Sequence, residues 1–283
     1  MNKVWLISGV SSGLGRALAR AALAAGQVVV GTVRSDADRA AFEQELPGAA
    51  AVVLDVTDAE AVDLCVAAVE RRRGRIDVLV NNAGRGMTGA IEETTLDQVR
   101  SLFETNVVGP LAVIKAVLPA MRARRSGHIV NVTSISGFKP WSGTGIYCAS
   151  KFALEGIGQT LAQEVEPLGI KVTNVQPGGL RTSFQGAALA RADGHIDDYA
   201  ESAHRARQIL DQSHGRQAGD PEKAARAIVQ MVDGDVAPLN LLLGADAVGM
   251  ATSRVAALLQ DLWRWAPLSE AIGFDAPQPF LRG

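Results

Sequence analysis

The chain has 283 residues, 47% of them hydrophobic, and a formal net charge of −2. That length and apolar content are enough for one large domain with a sizeable core, and the near-neutral charge gives no global attraction to nucleic acid or anionic lipid. Two cysteines, Cys65 and Cys148, make no disulfide framework and read as free thiols of a reducing cytoplasm, which is the expected location.

The first element is a short apolar strand over residues 3–8. Lys3 followed by Val4 to Val10 imitates a signal peptide, but Ser11, Ser12 and Arg16 cut the apolar run short. Gly9, Gly13 and Gly15 follow the strand with spacing G-x-x-x-G-x-G, enclosing Ser11, Ser12 and Leu14. A strong helix former occupies 14–25, and Gly26 can cap it. Strand, glycine turn and helix together point to a dinucleotide. The glycines let the backbone approach a pyrophosphate, and the helix N-terminus offers oriented N–H groups.

The second strand, 28–33, ends in Arg34. An acidic residue there would bind ribose hydroxyls and repel a 2′-phosphate, whereas a guanidinium can pair with that phosphate. Ser11, Ser12 and Ser35 could add hydrogen bonds, and Asp36 and Asp38 stand nearby. The charge argument favours NADP, with NAD possible. A third strand, 51–54, runs into Asp55-Val56, and a helix follows at 58–72. Its end, Arg71-Arg72-Arg73-Gly74-Arg75, suits the helix dipole and reads as a solvated helix end. A fourth strand, 76–80, leads into Asn82-Ala83-Gly84, and a long helix at 95–122 contains Asn106.

The fifth strand, 128–133, ends at Ser134, and Tyr147 and Lys151 open a helix at 147–165. Residues four apart share one helix face. A cation beside a phenol lowers its pKa, which makes a usable general acid/base. Ser134 could hold a substrate oxygen against it. Ala153, Ile157, Leu161 and Val165 form an apolar stripe on the same helix, read as core or subunit contact. The sixth strand, 170–175, precedes Pro177-Gly178 and Thr182. The polar stretch 183–219 would make a lid over a substrate, and its His195, His204 and His214 are expected to be solvated, with no metal site. A helix at 221–232 and a strand at 240–243 follow. Residues 246–283 hold a possible helix, then Pro267, Pro277 and Pro279, and read as a docking tail or subunit contact.

Continuous apolar runs alternating with helices imply a single α/β domain over 1–283, a doubly wound parallel sheet of about seven strands with helices on both faces. Ligands should gather at the carboxyl ends of its strands. Ser136, Trp141 and Met87 are candidates for an apolar substrate pocket, with Gly86 and Phe138 beside them; the aromatics could equally be packing. No stretch reads as the ~18 apolar residues of a membrane span, so no membrane or nucleic-acid partner is expected.

Taken in order, the glycine turn, Asn81-Asn82-Ala83-Gly84, Asn106, Ser134, Tyr147-x-x-x-Lys151 and Pro177-Gly178 resemble the short-chain dehydrogenase/reductase family. The resemblance covers about residues 3 to 245, is closest to the compact hydroxysteroid and retinol dehydrogenase-like group, and departs in Ser8, where Thr is commoner. It implies a Rossmann-type fold and reversible hydride transfer between a nicotinamide and a carbonyl or secondary alcohol. It gives Asn106 a water that relays protons from Lys151, and Lys151 the ribose hydroxyls. It gives Asp55 the adenine amino group, Val56 the adenine face, Thr182 a cofactor contact, and Pro177-Gly178 the nicotinamide border. It also implies a homodimer or homotetramer. A non-catalytic NADP-sensing regulator on the same fold is the alternative. A sugar-nucleotide epimerase fits less well, since such relatives open with G-x-x-G-x-x-G.

Overall fold

The computed structural model describes residues 2–186 and 188–273, so Pro277 and Pro279 lie outside the described residues. The chain opens with β1 (Val4–Ile7), α1 (Gly13–Ala24), β2 (Val28–Val33), α2 (Asp36–Glu45) and β3 (Ala50–Val53). Next come α3 (Ala59–Arg73), β4 (Val78–Asn81), β5 (Gly86–Thr88), α4 (Leu96–Phe103) and α5 (Gly109–Arg124). Then follow β6 (Gly127–Val132), α6 (Gly145–Val165), β7 (Ile170–Pro177) and β8 (Leu189–Arg191). The last described elements are α7 (Arg205–Ser213), α8 (Pro221–Asp233), β9 (Asn240–Leu243) and α9 (Ala245–Glu270).

Seven strands form one parallel sheet in the order β3-β2-β1-β4-β6-β7-β9. They are the seven apolar runs read from the sequence. Alternate residues of a strand face opposite sides, and both sides here are covered. Trp5 and Ile7 join Ala17, Leu18 and Ile228 of α1 and α8. Leu6, between them, joins Val66, Val113 and Val117 of α3 and α5. Strands covered on both faces need continuous apolar sequence, which explains why their signal was strong.

Three departures have local causes. α2 was not expected, because its sequence is mostly polar and buries only Phe42. It is started by Ser35, whose hydroxyl accepts the Asp38 N–H at 3.1 Å. The helix expected at 95–122 is broken by a π-helical turn, Glu104–Val108. Pro110 has no N–H to give the carbonyl four residues back, that of Asn106. Lastly, Leu96–Arg124 does have the length and hydropathy of a membrane span, 29 residues at 1.4. Part of its apolar surface serves the core: Val113, Ile114, Val117 and Met121 are 3% exposed or less, whereas Leu96, Val108 and Leu111 stay exposed.

The C-terminal half of the stripe on α6 is core, while Ala153 and Ile157 are only partly buried. Leu161 and Val165 lie in the cluster under the sheet, with Ile157 against it. The 183–219 region is not plain loop: β8 pairs in parallel with β5, and α7 follows. α9 runs through Pro267 and buries only Ala247 and Ala251. Leu259, Leu262, Trp263 and Trp265 on it remain exposed, Trp263 at 78%.

Candidate functional site

A cleft of about 1060 Å³ runs across the carboxyl ends of the strands. At one end lies the glycine turn after β1. Gly9 has φ +72°, and a Cβ on Gly15 would collide with Gly9 O and Asn82 Nδ2. Asn82 Nδ2 donates to Ser8 O and Gly9 O, both at 2.9 Å. Ser8 Oγ accepts from the N–H groups of Asn82 and Ala83 at 3.0 Å. The hydroxyl at Ser8 thus ties the ends of β1 and β4 together. Ser12 caps α1 in position only, with no side-chain hydrogen bond, and the first turn of α1 carries no acidic residue. Those N–H groups and the positive helix end face the cleft beside Ser11, Gly13 and Leu14. Thr182 comes in from beyond β7, its Cβ 3.5 Å from where a Cβ on Gly13 would stand.

Arg34, Asp55 and Val56 line the same end. Asp36 pairs with Arg39 at 2.8 Å, and Asp38 Oδ2 accepts from Ser35 Oγ at 2.7 Å. The two nearby carboxylates are therefore engaged elsewhere, as is the Ser35 hydroxyl. Among the described residues Arg34 has no hydrogen bond or ion pair, and its guanidinium is exposed. Asp55 Oδ1 accepts from Thr57 N at 3.0 Å and Thr57 Oγ1 at 2.8 Å. These bonds, with Arg34 further off, hold its carboxyl below the usual range. One Asp55 oxygen therefore serves a turn, while Asp58 caps α3.

At the other end stand Ser134, Tyr147 and Lys151, with Ala83, Gly84, Pro177 and Gly178 between the two halves. Ser134 Oγ accepts from Ser136 N at 3.0 Å, and its hydroxyl stands close enough to the Tyr147 phenol to favour the phenolate. Lys151 Nζ lies 5.9 Å from the Tyr147 ring centroid and donates to Val132 O at 3.0 Å. The expected lowering of the phenol by the lysine is not what the structure gives. Burial pushes Tyr147 up to about 12, with the nearby Ser134 hydroxyl opposing the rise. Burial pulls Lys151 down to about 8, against the pull of Glu155. Loss of water disfavours both charged forms. Tyr147 is thus a protonated donor aimed at the cleft.

Asn106 is not on the cleft wall. It is fully buried in the π-helical turn. Its Oδ1 accepts from Arg85 N at 2.9 Å, and its Nδ2 donates to Arg85 O at 2.8 Å and Ser150 Oγ at 3.0 Å. A π-helical turn beside a functional site is a recurrent device; here it aims one amide at the segment after Gly84 and at α6. Behind the lysine runs a second polar feature. Asn81 on β4 donates to Asn131 on β6 at 3.0 Å, and Asn131 to Asn174 on β7 at 3.2 Å. Asn174 donates to Glu155 Oε2 at 2.9 Å, and Thr133 Oγ1 donates to Glu155 Oε1. This ladder satisfies a carboxylate 3% exposed.

Met87, Ser136 and Trp141 line the substrate end, and Trp141 Nε1 donates to Ser136 Oγ at 3.1 Å. Phe138 does not line it; it packs near Ala247 and Ala251 of α9. The sequence reading missed Phe184, Leu189, Ile209 and Leu210, which close the cleft from the 183–219 segment. It missed Asp246 too, which accepts the Gly179 N–H at 2.7 Å and fixes the turn after β7. Their polar surroundings gave no motif. Of the three histidines expected in solvent, His195 and His214 are exposed, but His204 is not: its Nε2 meets Glu93 Oε1 at 2.6 Å. Sequence spacing could not bring Glu93 to them.

The family model described as short chain dehydrogenase matches residues 3–193. The chain belongs to the short-chain dehydrogenase family of oxidoreductases. Among its relatives is the oxidoreductase BOA17 of Botryotinia fuckeliana, 36% identical over 96% of this chain and 99% of that protein. A solved short-chain dehydrogenase from Streptomyces avermitilis is 44% identical, covers 96% of this chain and 98% of its own, and superposes with a TM-score of 0.90. ElxO, solved with NADP bound, is 25% identical with a TM-score of 0.74, covering 88% of this chain and 100% of its own. The short-chain dehydrogenase fold therefore extends past residue 193, through α8 and β9.

Proposed function

We propose that the protein is an NADP-dependent carbonyl reductase or secondary-alcohol dehydrogenase acting on a largely apolar substrate. The observation that carries this is one continuous cleft. It holds an uncapped helix N-terminus and a free guanidinium at one end, and Ser134, Tyr147 and Lys151 at the other. The residues fit the cofactor: α1 offers N–H groups to a pyrophosphate, and Arg34 offers a fork to a 2′-phosphate. Asp55 and Val56 face the adenine end, and Asn82, Ala83 and Gly84 allow close passage. Lys151 holds ribose hydroxyls, Pro177 and Gly178 border the nicotinamide, and Thr182 closes over the turn. The NADP bound in ElxO supports the same preference here, with NAD as the weaker cofactor.

When bound, the nicotinamide supplies or accepts the hydride; the protein orients and moves the proton. Ser134 hydrogen-bonds the substrate oxygen and fixes it beside Tyr147, polarity set in place before charge develops. Tyr147 gives its proton to that oxygen in reduction and takes it back in oxidation. Lys151, pulled toward neutrality by burial, can exchange a proton near pH 8. Asn106 Oδ1 and Lys151 Nζ converge on Gly84, which supports a proton path from the lysine past the π-helical turn. Met87, Trp141, Leu189 and Ile209 exclude water and suit an apolar group. Self-association is part of this reading, and the exposed apolar row on α9 supports it.

The test is NADPH oxidation at 340 nm with aromatic, steroid, retinoid and acyl ketones, NADH in parallel. Turnover that disappears in Tyr147→Phe is expected. Tight NADPH binding with no turnover on any ketone would overturn the catalytic reading.

A further inference from the structure

Among the described residues, one group outside the cleft has metal-ligating chemistry that the reaction above does not use. Glu93, in the turn after β5, meets His195 and His204 of the 183–219 segment, with one ligand atom of each within 4.8 Å of the others. The imidazoles stack with centroids 4.4 Å apart and planes 12° off parallel. His195 Nε2 also lies 3.3 Å from Asp197 Oδ1.

Glu93 is prepared as a ligand. Its side chain is 2% exposed. Oε2 accepts from Ala90 N and Oε1 from Ile196 N, both at 2.8 Å. Such backbone donors are the outer partners that orient ligating carboxylates.

We propose that Glu93, His195 and His204 form a divalent transition-metal site of zinc type that clamps the 183–219 segment to the turn after β5. Two imidazoles with a carboxylate suit zinc, whereas calcium and magnesium prefer all-oxygen sets. Ligands about 2.0–2.1 Å from one zinc stand ~3 Å or more apart. Binding therefore opens the 2.6 Å contact between Glu93 and His204 slightly. The proton shared there moves to His204 Nδ1, or leaves to solvent if the ring was charged. The clamped segment continues into α7, whose Ile209 and Leu210 line the cleft. Existing ties include hydrogen bonds, such as Tyr199 to Glu92 at 2.7 Å and Gln98 to Arg191 O at 2.8 Å, and the packing of Phe184 on Tyr147.

The experiment uses untagged full-length protein stripped with EDTA, titrated with zinc chloride against a chromophoric chelator. Trypsin cleavage at Arg205 and Arg207 is followed with and without zinc. His195→Ala is the informative variant, because His195 is exposed and outside the Glu93–His204 hydrogen bond. One zinc per chain, slower cleavage with zinc, and uptake weakened at least about tenfold in His195→Ala are expected, in line with the sensitivity of metal sites to their shells. No uptake at micromolar zinc, or equal uptake in His195→Ala, would overturn the site. Uptake with unchanged cleavage would overturn the clamp.

Discussion

Tyr147 and Lys151 share a helix face as their spacing requires, yet burial governs each more than its neighbour does. Replacing Tyr147 with Phe should cut turnover by about 10²–10⁴, the usual worth of a placed general acid, with NADPH affinity kept; fluorescence titration checks the second part. Lys151 has a folded pKa near 8, below its ordinary 10.5. Between those values the unfolded chain holds more protons at this site, so its contribution to stability grows as pH rises from about 8, offset above about 9 by Cys65, which burial raises from 9.0 to about 11. Urea unfolding at several pH values should show that slope in the wild type and its loss in Lys151→Met. Arg34→Asp should raise the Michaelis constant for NADPH far more than for NADH. A charge-assisted bond is worth about 1.5–3 kcal/mol, which is roughly ten- to a hundredfold. Equal effects on both cofactors would refute the NADP assignment. The candidate cofactor and proton-transfer residues were legible because short motifs carry them. Glu93 was not, because its histidines come from a distant polar segment with no periodicity.

Elements with one polar face and weak periodicity were the ones sequence reading lost. α2 has a single buried side chain, and β5 and β8 are three-residue strands that exist through each other. The π-helical turn hid inside an unbroken apolar pattern. α6, by contrast, was legible along its length, and two of its glycines separate packing from propensity. A Cβ on Gly156 meets nothing within 4 Å, whereas one on Gly158 would overlap the Asn174 amide. Gly156→Ala should therefore stabilise by about 0.5–1 kcal/mol, the helix cost of glycine. Gly158→Ala should destabilise by roughly 1–3 kcal/mol through overpacking. Thermal melts of both variants would show shifts of opposite sign.

For the molecule as a whole, seven parallel strands, the five inner ones buried, gave the sheet a sequence signal that the covering segments lacked. Which surfaces stay bare was illegible, since the C-terminal half of the apolar stripe of α6 went to the core and the exposed row fell on α9. Light scattering should give a mass of at least twice 29.7 kDa. A monomer mass would refute the self-association expected here. The strand order also bears on synthesis at the ribosome. β1 emerges first, β2 and β3 add in turn to one side of it, and β4, β6, β7 and β9 add to the other. Every new strand joins a free edge and none is wedged between two already paired. A nascent chain can thus extend a partial sheet as it lengthens, as domains that fold during translation do. The edge at β7 stays open until β9 appears, so the period of greatest risk from sticky partial sheets is the translation of residues 178–239.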